Sequence, residues 1–276
     1  MITSAQNAKL KLVRALQGRP KERREAGAFL AEGVRLVEDA LAAGWPFRFV
    51  LYSAQLSERG KALVERLALN NVEGLDGLNV DVEQVDDVLL TSVSDTETTQ
   101  GILAVLELPT PPPSTFNLQP STFQPSNLPT FILIPDQIRD PGNLGTLLRS
   151  AAAAGVDAVL IPPETVDAFS PKVVRAGMGA HFRLTVASLG WDEIRARVTG
   201  CAVFLADAAS RQSCWDADFK VPLALIVGGE AEGASQSARE LADRLVNIPM
   251  PGKIESLNAA VAGAILMFEV VRQRKL

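Results

Sequence analysis

Residue types that often carry chemistry are scarce in this chain. It has one histidine, His181, and two cysteines, Cys201 and Cys214, in 276 residues. The cysteines have neither metal-ligand spacing nor a disulfide framework, and both read as structural or incidental. His181 has no second histidine near it in sequence and reads as structural too. No metal site is expected. No apolar run with clean flanks is long enough to span a bilayer. The nearest candidate is the last apolar stretch, where Glu269 and Arg272 bracket the end. The opening, MITSAQNAKLKLVR, lacks the apolar core of a signal peptide. A cytoplasmic protein without a membrane partner is the expectation. Neither GxxxxGK[ST] nor GxGxxG occurs, so a P-loop is unsupported and a dehydrogenase is disfavoured.

What is present is the composition of a soluble globular protein, 47% hydrophobic and 21% charged. The length suits one large domain or two ordinary ones. The net charge of −5 argues against a uniformly basic protein. The first fifty residues nevertheless hold nine Lys/Arg and five acids, a local +4. That excess can meet phosphate, or can simply be the solvated face of amphipathic helices.

Periodicity predicts helices over Ala8 to Gln17 and from Pro20 to about Ala26, with Pro20 at the first helical position. An amphipathic helix is expected over Phe29 to Ala43, closed by Gly44. Phe47 to Tyr52 reads as a strand and Ser57 to Leu69 as a helix. Leu78 to Val82, a short helix around Gln84 to Leu90 and the apolar strand Gly101 to Leu108 complete a small α/β unit. Residues 109–130 then contain seven prolines, no charge, and PSTF twice. This is an expected extended linker and domain boundary.

After the linker, strands and helices alternate. Strands are expected at Phe131 to Ile134, Ala158 to Ile161, Arg183 to Val186, Ala202 to Leu205, Leu223 to Val227 and Leu245 to Ile248. Helices are expected after Pro141 and over Pro171 to Gly179, Trp191 to Val198, Ser235 to Leu241 and Leu257 to about Val271. Continuous apolar strands separated by helices imply α/β architecture, a parallel sheet covered on both faces. Ligands of such sheets bind at the carboxyl ends of strands. That directs attention to the loops after Ile134, Val227 and Ile248.

The first loop, PDQIRDPGNLGTLLR, holds Asn143, Gly145 and Arg149 in the pattern NxGxxxR. Asn143 can cap the helix that opens there. The second, GGEAEG, follows LALIV, and its tandem glycines let a flat ligand approach bare backbone. The third, IPMPGKIESLN, is stiffened by two prolines and delivers Ser256 and Asn258 to a helix start, where unpaired N–H groups gather. Each loop alone also fits an ordinary turn or cap.

Together, NxGxxxR after a strand, the G-x-E-x-x-G loop and IPMxGxxESLN resemble the three signature motifs of the SpoU (TrmH-like) family. Its members are SPOUT-class RNA 2′-O-ribose methyltransferases. ERREAGAFLAEGVRLVEDAL, Glu22 to Leu41, is similar to the family's L30e-like RNA-binding domain. The resemblance covers nearly the whole chain outside the linker. It implies an L30e-like substrate-binding domain over 1–108 and a methyltransferase domain with a deep trefoil knot over 131–276.

By that resemblance the cofactor is S-adenosylmethionine, bound by Gly228, Gly229, Ile248, Met250 and Leu257, mostly through backbone. Arg149 serves the reacting ribose hydroxyl, Asn143 and Ser256 position it, Glu230 organises the site, and Asn258 lies beside the cofactor. The resemblance also implies a homodimer in which Arg149 reaches the partner's cofactor site. The RNA is expected to be ribosomal. Transfer RNA, and a non-catalytic RNA-binding protein of the same fold, are the alternatives. Ala260 stands where many relatives carry serine, with little expected effect.

Overall fold

Gly33 sets the plan of the N-terminal half. It takes a φ of +102° directly after the buried run Ala28–Glu32. A residue in that conformation cannot continue either a strand or a right-handed helix. The single helix expected over Phe29 to Ala43 is therefore two elements, a strand and a helix. A short continuous apolar run fits a buried strand as well as a helix, so periodicity alone misassigned it.

The computed structural model describes residues 1–68, 80–96, 98–109, 130–229, 233–252 and 254–274. Most of the proline-rich segment, 110–129, lies outside these, as do 69–79, Glu230 and Lys253. In chain order the first elements are α1 (Ala8–Gln17), α2 (Pro20–Ala26), β1 (Ala28–Glu32), α3 (Val34–Ala42) and β2 (Phe47–Tyr52). Then come α4 (Glu58–Ala68), β3 (Asp81–Gln84), α5 (Asp87–Thr91) and β4 (Ile102–Glu107). The helix expected from Gln84 starts later, because Asp86 caps α5 by accepting the Val88 and Leu89 N–H groups.

These strands form one sheet in the order β1-β4-β2-β3. β4 runs antiparallel to both β1 and β2, while β2 and β3 are parallel. On one face, Leu10, Val13 and Leu16 of α1 pack on Leu30, Leu51, Leu103 and Val105. Phe29 belongs to an aromatic cluster, 5.0 Å from the Phe169 ring and 6.5 Å from Phe182. The last two residues lie far along the chain, beyond the linker. The compact unit is correspondingly discontinuous: Met1–Thr110 together with Phe169–Phe182. The latter segment carries α7 (Pro171–Gly177) and a 3-10 turn (Ala180–Phe182). His181 is buried in it, 5.5 Å from Phe169.

Much of the positive charge of this unit is structural. Arg23 is buried and donates to the Leu16 and Gly18 carbonyls at 2.6 and 3.0 Å. Lys9 pairs with Asp81 and Glu83, and Arg48 with Glu107.

The second compact unit comprises Pro111–Ala168 and Arg183–Leu276. It holds β5 (Phe131–Pro135), α6 (Pro141–Ala153), β6 (Ala158–Ile161), β7 (Thr185–Ser188), α8 (Trp191–Arg197) and β8 (Ala202–Ala206). β9 (Leu223–Val227), α9 (Gln236–Leu241), β10 (Arg244–Val246) and α10 (Ala259–Arg274) follow. All six strands pair in parallel in the order β10-β8-β9-β5-β6-β7. β5 and β9 are buried along their whole length, as expected for strands covered on two faces. Ile194 of α8 and Ala238 and Leu241 of α9 pack on Ile132, Ile134, Ala224 and Ile226. The opposite face receives α10, which packs against α6 and β9. The last strand is shorter than expected and leaves Ile248 in the loop beyond it. α10 starts at Ala259, so Leu257 precedes the helix.

Gly263 makes the α10–α6 contact possible. A Cβ there would overlap Leu147 Cδ2 and sit 3.4 Å from Val227. Leu147 is fully buried, so the end of its side chain can shift only by repacking against its neighbours. We expect Gly263→Ala to cost about 1–3 kcal/mol, the usual range for overpacking. Adding Leu147→Val should recover part of that loss in urea unfolding. Strictly additive effects would show that the two sites do not compete for the same space.

Candidate active site at the carboxyl ends of the sheet

Going outward from β5, the chain passes to β6 and β7 on one side, while β9 and β8 lie on the other. The sheet's connections therefore diverge between β5 and β9, which is where parallel sheets bind ligands. Beside that point, on the β9 side, a cavity of ≈ 270 Å³ opens at the ends of β8, β9 and β10. Gly228, Gly229, Ile248, Met250, Ser256 and Leu257 all line it, so six residues singled out from sequence converge on one space. Val227, Ala262 and Leu266 give it an apolar side.

The second loop is shaped by close backbone contacts. A Cβ on Gly228 would lie 2.7 Å from the Ala234 nitrogen and 2.8 Å from the Gly233 carbonyl carbon. One on Gly229 would overlap the carbonyl oxygen of Gln137, a first-loop residue held at φ 53°. Main chain cannot move aside as a flexible side chain can, so both positions demand glycine. Asp136 adds a further tie between these loops, accepting the Ser235 N–H at 2.6 Å. Its carboxyl is fully buried, and its Oδ1 has no partner among the described residues. Burial pushes the Asp136 carboxyl above its usual range, against the opposing pull of the Ser235 contact.

The first and third loops meet through two amides. Asn258 Oδ1 accepts the Ala260 and Val261 N–H groups at 3.0 and 3.2 Å, making Asn258 the cap of α10. That leaves its Nδ2 to donate to Asn143 Oδ1 at 3.0 Å. Asn143 is not the cap of α6, contrary to expectation. Asp140 caps it, accepting the Asn143 N–H at 2.8 Å. The Asn143 side chain is thereby released for the contact with Asn258. Arg149 lies on the exposed face of α6 and outside the cavity lining. Glu230 falls outside the described residues.

Sequence reasoning overlooked Asp207 and Arg239, which also line the cavity. The signal was available. Asp207 directly follows β8, and the rule applied to three strand ends applies equally to this one. The Ala209 N–H at 2.8 Å and Arg239 at 2.9 Å hold the Asp207 carboxyl below the usual carboxylate range. Because the folded value is depressed, the associated stability is present above the unfolded value and is lost as pH falls through the folded one. Arg239→Gln should therefore raise the pH midpoint of acid unfolding, followed by circular dichroism. An unmoved midpoint would mean that the pair contributes nothing to acid stability.

The lining suits a flat ligand with polar edges. The main-chain N–H groups of Ile248 and Leu257 have no hydrogen-bond partner among the described residues, so they are available to a ligand. Apolar side chains, bare glycine backbone and one ionised carboxylate complete the set. Cys214 is not part of it. It is buried, and burial pushes its thiol up to about 11, leaving little thiolate for nucleophilic attack.

A parallel α/β sheet with a cleft at its carboxyl edge, framed by glycine and proline loops, defines a protein that binds a small molecule. Comparison with known proteins names the group. The SpoU rRNA Methylase family matches residues 130–268, and an MRM3-like substrate binding domain matches residues 7–104. The chain belongs to the SpoU family. It is 32% identical to the 23S rRNA (guanosine(2553)-2′-O)-methyltransferase RlmP of Bacillus subtilis, covering 98% of both chains. It is 31% identical to a 23S rRNA (uridine(2479)-2′-O)-methyltransferase of Streptomyces viridochromogenes, covering 98% of this chain and 92% of that one. The crystal structure of the SpoU methyltransferase AviRb from that organism, in complex with AdoMet, superposes with a TM-score of 0.82 at 30% identity. It covers 98% of this chain and 99% of the other.

Proposed function

We propose that this protein methylates a ribose 2′-hydroxyl in ribosomal RNA, with S-adenosylmethionine as donor. The observation that carries the reading is the convergence of the second and third signature loops on one cavity, with the first loop packed on the second at Gly229 and bonded to the third through Asn143 and Asn258. The ribosomal relatives match this chain nearly end to end, which favours ribosomal over transfer RNA as substrate. In the same reading, residues 1–108, completed by Phe169–Phe182, bind the RNA, 109–130 link, and the rest of 131–276 carries out transfer.

The cofactor supplies an electrophilic methyl group. Gly228, Gly229, Ile248, Met250 and Leu257 hold it, largely by main chain. A ribose hydroxyl is a poor nucleophile and must have its proton withdrawn or polarised. A guanidinium is a donor of hydrogen bonds with no lone pair to offer as an acceptor, so it is ill suited to act as a base. Arg149 therefore works as a cation that clamps a phosphate of the RNA and stabilises developing negative charge. Ser256 and Asn143, the latter oriented by Asn258, position the ribose, and Glu230 organises the loop.

Part of this reading is a homodimer. Val261 and Phe268 on α10 are each 48% exposed and stand seven residues apart, on one helix face. Large apolar side chains so placed favour a partner surface. Arg149, outside its own cavity, would then serve the neighbour's. The trefoil knot and a cytoplasmic location belong to the same reading. Among the described residues no helix is long and apolar enough to cross a membrane.

The test is transfer of labelled methyl from S-adenosylmethionine to ribosomal RNA from a strain lacking this gene, followed by mapping of 2′-O-methyl positions. One new methylated nucleotide is expected. Cofactor binding without any transfer to ribosomal RNA would refute the substrate assignment. Absence of cofactor binding in calorimetry would refute the enzyme.

A further inference from the structure

A second cavity, of ≈ 210 Å³, lies wholly within the first unit. It is built from both sides of the linker. Glu32, Arg35, Leu36, Asp39 and Gln100 come from before it, Arg175 and Met178 from after it. We propose that this cavity seats one unstacked nucleobase of the substrate RNA, with Arg35 at its mouth on the adjoining phosphate. The proposal rests on the RNA reading above.

Size and lining select the ligand class. The volume of ≈ 210 Å³ has room for a single ring system. Leu36 and Met178 offer apolar surface, and Arg175 offers a planar guanidinium. Arg175 is anchored by Asp95 at 2.8 Å. Unstacked bases in RNA complexes commonly lie against such guanidinium planes.

The polar groups are positioned for an edge. Gln100 Oε1 accepts the Val34 N–H at 2.9 Å, which leaves its Nε2 as a donor without a partner among the described residues. The Asp39 carboxylate lines the same space as an acceptor. Glu32, by contrast, is committed to the protein. It accepts from the Ser94 and Thr96 hydroxyls and the Asp95 N–H, fixing the loop that forms one wall. A donor and an acceptor on a rigid wall can read the edge of a base. Arg35 is exposed and makes no ion pair among the described residues. It differs in this from Arg23 and Arg48, whose charge is used within the fold.

Met178 is 45% exposed and closes α7 as its left-handed C-cap, with its N–H donating to the Arg175 carbonyl, which leaves its side chain at the rim. Gly179 follows at φ 84°, and a Cβ there would lie 2.6 Å from Asp39 Oδ2. The turn that presents Met178 is therefore packed directly on the acid proposed to face the base.

The test uses full-length enzyme and an unmodified in vitro transcript of large-subunit ribosomal RNA. Thr98 is exposed on the rim. Thr98→Trp should fill the cavity and raise the KM for the transcript at least tenfold. Arg35→Ala should raise it several-fold, more at low salt than at high. Both should retain wild-type affinity for S-adenosylmethionine in calorimetry. In wild-type enzyme, ultraviolet cross-linking with mass spectrometry should place RNA adducts on peptides containing 32–39 or 175–178. Unchanged KM in both variants, or adducts confined to other peptides, would overturn the pocket and leave the proposed function intact. If the wild type transfers no methyl to the transcript, the proposed function fails. The cross-link positions then decide the pocket by themselves.

Discussion

Arg149→Ala should lower methyl transfer by about 10²–10³-fold, the range found when one preorganised group that stabilises transition-state charge is removed. Affinity for S-adenosylmethionine should stay within several-fold of wild type, because Arg149 is exposed on α6 and outside the cavity of its own chain. The combination is diagnostic. An effect on rate without one on cofactor binding assigns Arg149 to the RNA side of the reaction. Mixed oligomers sharpen it. A chain with Arg149→Ala keeps an intact cavity, and a chain with a damaged cavity keeps its arginine. If Arg149 acts across a dimer, the mixture regains one competent site per heterodimer, measurable as labelled methyl in RNA. Transfer by Arg149→Ala within several-fold of wild type would remove the residue from the mechanism. An inactive mixture of demonstrated heterodimers would place it on the same chain as its cavity.

The second large effect is expected at Gly229. A methyl group there would overlap the Gln137 carbonyl oxygen, which is main chain and already strained at positive φ. The first and second loops must then separate. We expect Gly229→Ala to cost about 1–3 kcal/mol of stability, as for other overpacked sites. Cofactor affinity should fall at least tenfold, because Gly228 and Gly229 form one wall of the cavity. Calorimetry and thermal unfolding of one sample read both. Stability lost with affinity intact would mean that the loop contact is architectural and that the cofactor does not use this wall.

Legibility from sequence varied from element to element. β5 and β9 were plain, since Phe131–Pro135 and Leu223–Val227 are unbroken apolar runs between turn residues. The Ala28–Glu32 strand was hidden inside an amphipathic pattern. Only the pairing of Ala28 to Glu32 with β4, register Ala28↔Glu107, shows that it is a strand. Caps were half legible. Asn143 and Asp140 are both good capping residues, and which one turned inward depended on Asn258, 115 residues away. Asp207 was legible in principle, as a polar residue at the end of an apolar strand, and was passed over.

By itself the sequence determined the two α/β halves and three loops whose residue types match a known family. These are local matters: period, turn chemistry and short spacing act over a few residues. Only the tertiary structure decided that Gly228, Ile248 and Leu257 share one cavity with Asp207. It also decided that Asn143 answers Asn258 and that Phe169–Phe182 belongs with the first unit. The physical reason is that strand order and loop contact are set by which buried faces pack best. Residues distant in the chain meet only after that packing is complete.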